Sequence, residues 1–455
     1  MDFWAKQGWI PVRVLIALPL VLLVAACEHP LQHTQSGATP VAVSVQPVAP
    51  TPSLPPPTIT PSIAIVPPPP KPVPIPLIQP TVSFALVAAP AEPAVTEPVT
   101  EATQQALAEP TDGALELLGG SVPPGTRRQL TWSATETYTG MAIPTPVLVV
   151  NGAHSGPTLC LTAAVHGDEL NGIETVRQIV HNLNEKKLKG AVLGVPIVNI
   201  QGFQRHTRYL PDRRDLNRFF PGNPTGSSAS RIAYSFFTQI VQHCDSLVDL
   251  HTGSFHRTNL PQLRADLRNE EVVALTKGFG STVVLHSEGA QGSLRRAAVE
   301  AGIPAVTVEA GAPLRLEEEE VKHSVKSIQS LLDTLGMYNK RSLWGNPEPA
   351  YYASHWVRSD NGGILFSQVK LGKRVKQGDV LGTVTDPISN KQTTITSPFN
   401  GRILGKAMNQ FVMPGYATYH IGIEAEVDEA TQGDTDPAMD HSVAFSGEAE
   451  DEASE

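Results

Sequence analysis

Residues Thr158–Val180 read TLCLTAAVHGDELNGIETVRQIV. The continuous apolar run Thr158–Val165 predicts a strand buried on both faces. From Asp168 to Lys187, Ile173, Val176, Ile179, Val180 and Leu183 recur at helical spacing. His166 and Glu169 stand where that strand runs into that helix. A carboxylate at a helix start is favoured by the unpaired amides there. A second apolar strand, Ser246–Leu250, runs into DLHTG at Asp249–Gly253 and puts His251 at its end. Two imidazoles and one carboxylate can hold a catalytic zinc and leave the fourth position to water. A lone His-x-x-Glu occurs by chance in many chains. A third donor on a separate strand makes the pattern specific.

Working outward, strands and helices alternate. Leu130–Gly152 predicts strands at a sheet edge, and Ala191–Ile200 a second buried strand. Arg231–His243, Val272–Gly280 and Leu294–Gly302 read as helices, Ser281–Leu285 and Ala305–Val308 as strands. This alternation predicts an α/β fold with a mostly parallel or mixed sheet and helices on both faces. Such sheets bind ligands at the carboxyl ends of strands, where His166, His251 and Glu309 all fall.

From about Pro349 the texture changes to short strands and Gly turns, which predicts a small all-β domain. VKQGDVLGTV and ITSPFNGRI resemble the barrel-sandwich hybrid of lipoyl and biotinyl domains. The hairpin DPISNKQTT lacks the residues that flank a modified lysine, so Lys391 reads as an ordinary exposed side chain.

Glu309, in VTVEAG, can take a proton from water and pass it to a leaving amine. Asp249 lies two residues before His251, on the same strand face, and can accept a hydrogen bond from its imidazole. The loop RHTRYLPDRRDLNRFFPG, Arg205–Gly222, holds five Arg, whose forks bind carboxylates. That density points to an acidic substrate.

The two ends speak to location. Lys6 and Arg13 precede the apolar run Val14–Val24, which is short for a membrane span of roughly 20 residues. Val24-Ala25-Ala26-Cys27 follows, and it resembles a bacterial lipoprotein signal with its lipobox. The resemblance implies cleavage before Cys27 and its lipidation. The expected location is the cell envelope, at the periplasmic face of the outer membrane. Residues 28–112 are rich in Pro, Ala, Val and Thr and predict a disordered tether. The expected units are therefore the signal 1–27, the tether 28–112, a hydrolase domain 113–345, a β domain 346–425 and an acidic disordered tail 426–455.

Net charge is −10, and eleven acids with no Lys or Arg lie in Glu426–Glu455. The rest of the chain is near neutral, which argues against a nucleic-acid partner. Cys160 and Cys244 stand at similar heights if their strands are parallel neighbours. Export would permit a disulfide. Strand geometry often forbids one, so two buried free thiols are expected.

HGDE, TRY…DLNRFFPG, DLHTG and VEAG, in that order, resemble the succinylglutamate desuccinylase/aspartoacylase branch of the zinc carboxypeptidase superfamily, across Pro146 to Gly422. The resemblance implies a zinc carboxypeptidase-like fold, with one zinc on His166, Glu169 and His251. It makes Glu309 the general acid/base and Arg208 the group that polarises the scissile carbonyl. It gives Asn217 and Arg218 the substrate carboxylate. The implied substrate is a small acidic N-acyl amino acid or peptide, with peptidoglycan a candidate given the N-terminus. Asp168 departs from the family's usual HGNE.

Overall fold

The structure is a computed structural model and describes residues 113–134, 143–338 and 349–431. The signal, Cys27, the tether and most of the acidic tail lie outside the described residues. The chain opens with β1 (Leu115–Leu117), β2 (Gly120–Val122), β3 (Thr126–Ser133), β4 (Pro144–Asn151) and β5 (His154–Ala163). Helix α1 (Leu170–Asn182) leads to β6 (Lys189–Val195), α2 (Ile200–Gln204) and α3 (Ser228–Gln239). Next come β7 (Ser246–His251), β8 (Arg257–Ala265), α4 (Glu270–Thr276), β9 (Val283–His286), α5 (Leu294–Glu300), β10 (Ala305–Gly311) and α6 (Glu318–Thr334). The remaining strands are β11 (Ala350–Arg358), β12 (Gly363–Ser367), β13 (Arg374–Val375), β14 (Val380–Thr385), β15 (Gln392–Thr396), β16 (Gly401–Ala407), β17 (Phe411–Val412) and β18 (Ala417–Glu424). A short α7 (Val427–Ala430) follows.

The central sheet is mixed. Strands β6, β5, β7 and β10 run parallel as neighbours, and β4 and β3 extend one edge antiparallel, as the pattern in Leu130–Gly152 predicts. Both faces are covered. Val176 and Ile179 of α1, Val272 of α4 and Ile328 and Leu331 of α6 pack on one face. Phe236 of α3 and Leu294 and Ala298 of α5 pack on the other. Each helix shows the sheet one apolar stripe, because only that stripe can leave water at no polar cost.

Strand β8 contradicts its local sequence. RTNLPQLRA carries Pro261, which disfavours a central strand. Yet β8 lies between β10, antiparallel, and β9, parallel. Its register against β10 slips between Glu309 and Gly311, and the slip falls where Pro261 would break the ladder. The bulge removes the hydrogen bond that proline cannot make, and it re-aims the residues beyond it.

The C-terminal strands build the β sandwich read from the sequence. A four-stranded sheet of β15, β14, β12 and β17 packs on β16 and β18 through Leu365, Leu381, Ile403, Tyr419 and Ile421. Lys391 is exposed in the β14–β15 turn. These strands also enter the central sheet: β11 pairs with β9, and β16 with β8. Strands β8, β9, β11, β18 and β16 thereby close a five-membered ring.

Two expectations change. Cys160 and Cys244 are joined in a disulfide, with Cα atoms 5.7 Å apart, and not left as free thiols. Cys160, on β5, registers with Leu247 of β7, so the parallel pairing brings Cys244, just before β7, within bonding reach. The acidic tail also begins later than its composition suggests. Val427–Ala430 is helical, and Ala430 is buried in the main core.

Candidate active site

His166 reaches its place through an unusual backbone. Ala164, just past β5, sits at φ 48°, the left-handed region, which costs a non-glycine residue about 1–3 kcal/mol. Hydrogen bonds from Val198 N and Asn199 N to the carbonyls of Ala163 and Ala164 hold that turn. Gly167 follows because the α2 backbone at Gly202 and Phe203 fills the space a Cβ would need. Glu169 is the N-cap of α1 but gives its side chain to no helix amide. Its carboxylate turns inward and accepts from Thr252 N at 3.0 Å.

His166, Glu169 and His251 converge, their candidate donor atoms all within 4.8 Å of one another. Glu169 Oε1 lies 2.9 Å from His166 Nδ1, and Oε2 lies 2.8 Å from His251 Nδ1. The outward nitrogens are also held. His251 Nε2 meets Asp249 Oδ2 at 2.7 Å, and Asp249 Oδ1 accepts from Thr162 Oγ1 at 2.7 Å. His166 Nε2 meets Asp215 Oδ1 at 3.1 Å. A carboxylate on each Nε2 puts the proton there and leaves each Nδ1 lone pair facing the common centre. The two Nδ1 atoms are 3.1 Å apart, near the roughly 3.3 Å expected of two nitrogens on one tetrahedral zinc. The donor set therefore fits such an ion.

Burial works against ionising Glu169, but the two imidazoles hold its carboxyl well below the usual range. Asp215 is likewise buried, and Arg208 and His166 hold it low. Arg208 donates from Nη1 to Glu169 at 3.3 Å and from Nη2 to Asp215 at 3.0 Å. Its immediate work is thus to neutralise the ligand shell at the edge of the cleft.

Glu309 stands beside His251 across the β10–β7 pairing. Burial pushes its carboxyl up from the ordinary value, a shift toward the range a general base needs. Asn259 Nδ2 donates to Glu309 Oε2 at 3.2 Å. Asn217 Oδ1 accepts from Leu294 N at 2.8 Å, which leaves its Nδ2 as the donor offered to the cleft. Arg218 lines the same cleft, and its Nη1 donates to Asn217 O at 2.8 Å.

The cleft encloses about 790 Å³, part of it open to solvent. All seven residues given metal, catalytic or substrate roles line it, and Asp249 lies behind His251. The arginine expectation is corrected in part. Arg205, Arg213 and Arg214 point to solvent, and only Arg208 and Arg218 of that loop line the cleft. Arg257, Arg264 and Arg295 join them from β8 and α5. Asp215 had a visible signal, an acid directly before the Leu-Asn-Arg triplet. Asn259 and Arg264 had none, because a bulge in an unexpected strand sets their direction.

Comparisons with known proteins find relatives of this chain. The model of the succinylglutamate desuccinylase/aspartoacylase catalytic domain matches residues 155–335. An N-α-acetyl-L-2,4-diaminobutyric acid deacetylase from Halomonas elongata is 30% identical over 258 residues, 54% of this chain and 75% of the relative. Among solved structures, a succinylglutamate desuccinylase/aspartoacylase from Rhodobacter sphaeroides is similar at TM-score 0.58 and 23% identity, covering 66% of this chain and 96% of that one. The product-bound ectoine utilization protein EutE (DoeB) from Ruegeria pomeroyi is similar at TM-score 0.59 and 22% identity, covering 66% and 97%. The shared fold, the extent of the deacetylase match and the matched catalytic model together place this chain in the succinylglutamate desuccinylase/aspartoacylase family.

Proposed function

We propose that this protein is a zinc-dependent amidohydrolase that cleaves the amide bond of a carboxylate-bearing N-acyl amino acid or small peptide. The observation that carries this reading is the convergence of His166, Glu169 and His251, with Glu309 beside them in one cleft. His166, Glu169 and His251 would hold the metal, which supplies a Lewis acid and lowers the pKa of water toward about 7. Glu309 takes a proton from the attacking water and returns it to the amine nitrogen as the C–N bond breaks. Asn217 Nδ2 and Arg218 hold the substrate carboxylate and so fix the carbonyl relative to Glu309. Arg208, spanning Glu169 and Asp215, offers positive charge where the carbonyl oxygen becomes negative. The products are an amine and a carboxylic acid.

The setting we infer is the periplasmic face of the outer membrane, with the chain anchored by lipid on Cys27. The Cys160–Cys244 disulfide supports export, since such bonds persist mainly in oxidising compartments. That setting favours peptidoglycan peptides as a second substrate class. A substrate-free binding or scaffold role would leave Glu309 without use, and its position beside the ligands argues against it.

The test is metal analysis of the purified protein with a mass-spectrometric screen against N-acyl amino acids and muropeptides. About one zinc per chain and release of a free amine are expected. Protein that stays metal-free after loading would end the hydrolase reading. Palmitate label retained by Cys27→Ser would refute the anchor.

A further inference from the structure

The turn between the ligand strand β7 and β8 has a backbone that its residues do not favour. Arg257 N donates to Ser254 O at 3.2 Å and closes a turn over residues 254–257. Its two central residues, Phe255 and His256, stand at φ 53° and 59°. Positive φ at both central positions is the pattern of a type I′ turn, which favours Gly, Asn or Asp there. A bulky residue in that region is a true outlier, and such outliers persist only where the surroundings hold them.

The holding comes from the C-terminal β sandwich. Tyr416, between β17 and β18, donates from its hydroxyl to Phe255 O at 2.7 Å. Met408 N and Gln410 Nε2, between β16 and β17, donate to His256 O at 2.9 and 3.0 Å. Next to the turn, Arg257 Nε donates to Ala417 O at 3.1 Å, and its guanidinium lies over the Tyr416 ring, 4.5 Å from the centroid. Both central carbonyls of the turn are therefore taken by groups that arrive from the sandwich.

What the turn delivers is the Phe255 ring. Arg208 lies over it, with Cζ 5.3 Å from the ring centroid. The edge of the same guanidinium is fixed by Glu169 and Asp215, at 3.3 Å from Nη1 and 3.0 Å from Nη2. Contacts at the edge of a planar group fix its position but leave it able to tilt. A ring against its face removes the tilt, and the contact is strongest where water is excluded. Arg208 is buried, so the condition is met. The chemistry above uses Arg208, but it gives neither Phe255 nor the sandwich a task.

We propose that Phe255 is a positioning residue that sets the plane of the Arg208 guanidinium, and that the C-terminal β sandwich serves the site by holding Phe255 through Tyr416. Phe255 is not among the residues that line the cleft, so it acts through Arg208 and not on the substrate. The use made of Arg208 rests on the hydrolase reading above, whereas the positioning rests on the geometry of the turn.

The test observes Arg208 itself, in metal-free protein and without turnover. Arginine side chains of the purified protein are labelled with nitrogen-15 and followed by NMR, and the Arg208 signal is assigned by its loss in Arg208→Lys. Rotation about Nε–Cζ, taken from line shapes, is expected to be about tenfold faster in Phe255→Leu, the factor that one desolvated cation–π contact is worth. Phe255→Tyr keeps the ring and should stay within about twofold of the unsubstituted protein. Tyr416→Phe removes only the hydroxyl on Phe255 O and should give a smaller, several-fold increase. Phe255→Met, of similar bulk and without a ring, stands in if F255L does not fold. Unchanged rotation in the ringless variant, or an increase that Phe255→Tyr shares, overturns the positioning role. Unchanged rotation in Tyr416→Phe overturns the part given to the sandwich. Protein that takes up no zinc but shows the expected rotation rates would remove the hydrolase reading and leave the positioning standing.

Discussion

The two walls of the cleft treat buried polar groups in opposite ways. At the ends of β5 and β7, each ligand imidazole is engaged at both ring nitrogens, and Glu169 accepts from both imidazoles, Arg208 and Thr252 N. Behind the Arg264 and Trp356 wall, Gln262 and His420 are equally buried, yet among the described residues the Gln262 side-chain amide has no hydrogen-bond partner and His420 lacks one at Nδ1. The first wall is organised in advance around one point, so binding an ion there needs little rearrangement. The second carries the unmet cost of burying polar atoms without partners.

Substitutions can break this contrast or sharpen it. The largest effect is expected from Glu309→Gln, which should lower kcat by about 10²–10⁴-fold, the usual share of a general base. Zinc content should not change, and activity within a few-fold of the unsubstituted protein would remove Glu309 from the mechanism. Next, replacing Cys160 and Cys244 together by Ser opens a link that spans 84 residues under the ligand strands. A loss of about 2–5 kcal/mol in denaturant melts is expected, and unaltered melts would show that the bond does not brace this wall.

Asp249→Asn and Asp215→Asn should each weaken zinc binding by about 10–100-fold, measured by competition with a chelator. Equal affinity in both variants would mean that the outward nitrogens need no carboxylate. The smallest effect has the opposite sign. Gln262→Leu should stabilise the fold by about 1 kcal/mol, because an apolar group of similar size removes two unmet amide atoms. A destabilising result would show that Gln262 is satisfied in solution and would erase the contrast between the walls.

Much of the first wall is legible in sequence. The apolar run at Thr158–Val165, the helical spacing after it and the donors between them are local patterns, and local patterns survive folding. Asp249 is legible for the same reason, since alternate residues of a strand share a face. The second wall is hidden. Pro261 argues against the strand that carries Gln262 and Arg264, and Trp356 and His420 come from strands about a hundred residues or more further on. Helix α6 lies between these cases. Val321, Val325, Ile328 and Leu332 recur at helical spacing, so its apolar stripe is visible, but the sequence does not say which sheet face it covers.

By itself the sequence determined the α/β alternation and the place of His166, Glu169, His251 and the carboxylate of Glu309 at strand ends. Those follow from period, residue chemistry and short spacings, which act within a few residues. Only the tertiary structure decided that Cys160 bonds Cys244, that Asp215 braces His166, that the loop arginines mostly face water, and that five strands close a ring beside the cleft. Each of these depends on strand order and register. Those are set by the packing of the whole core, because a one-residue slip would send every side chain of a strand to the other face.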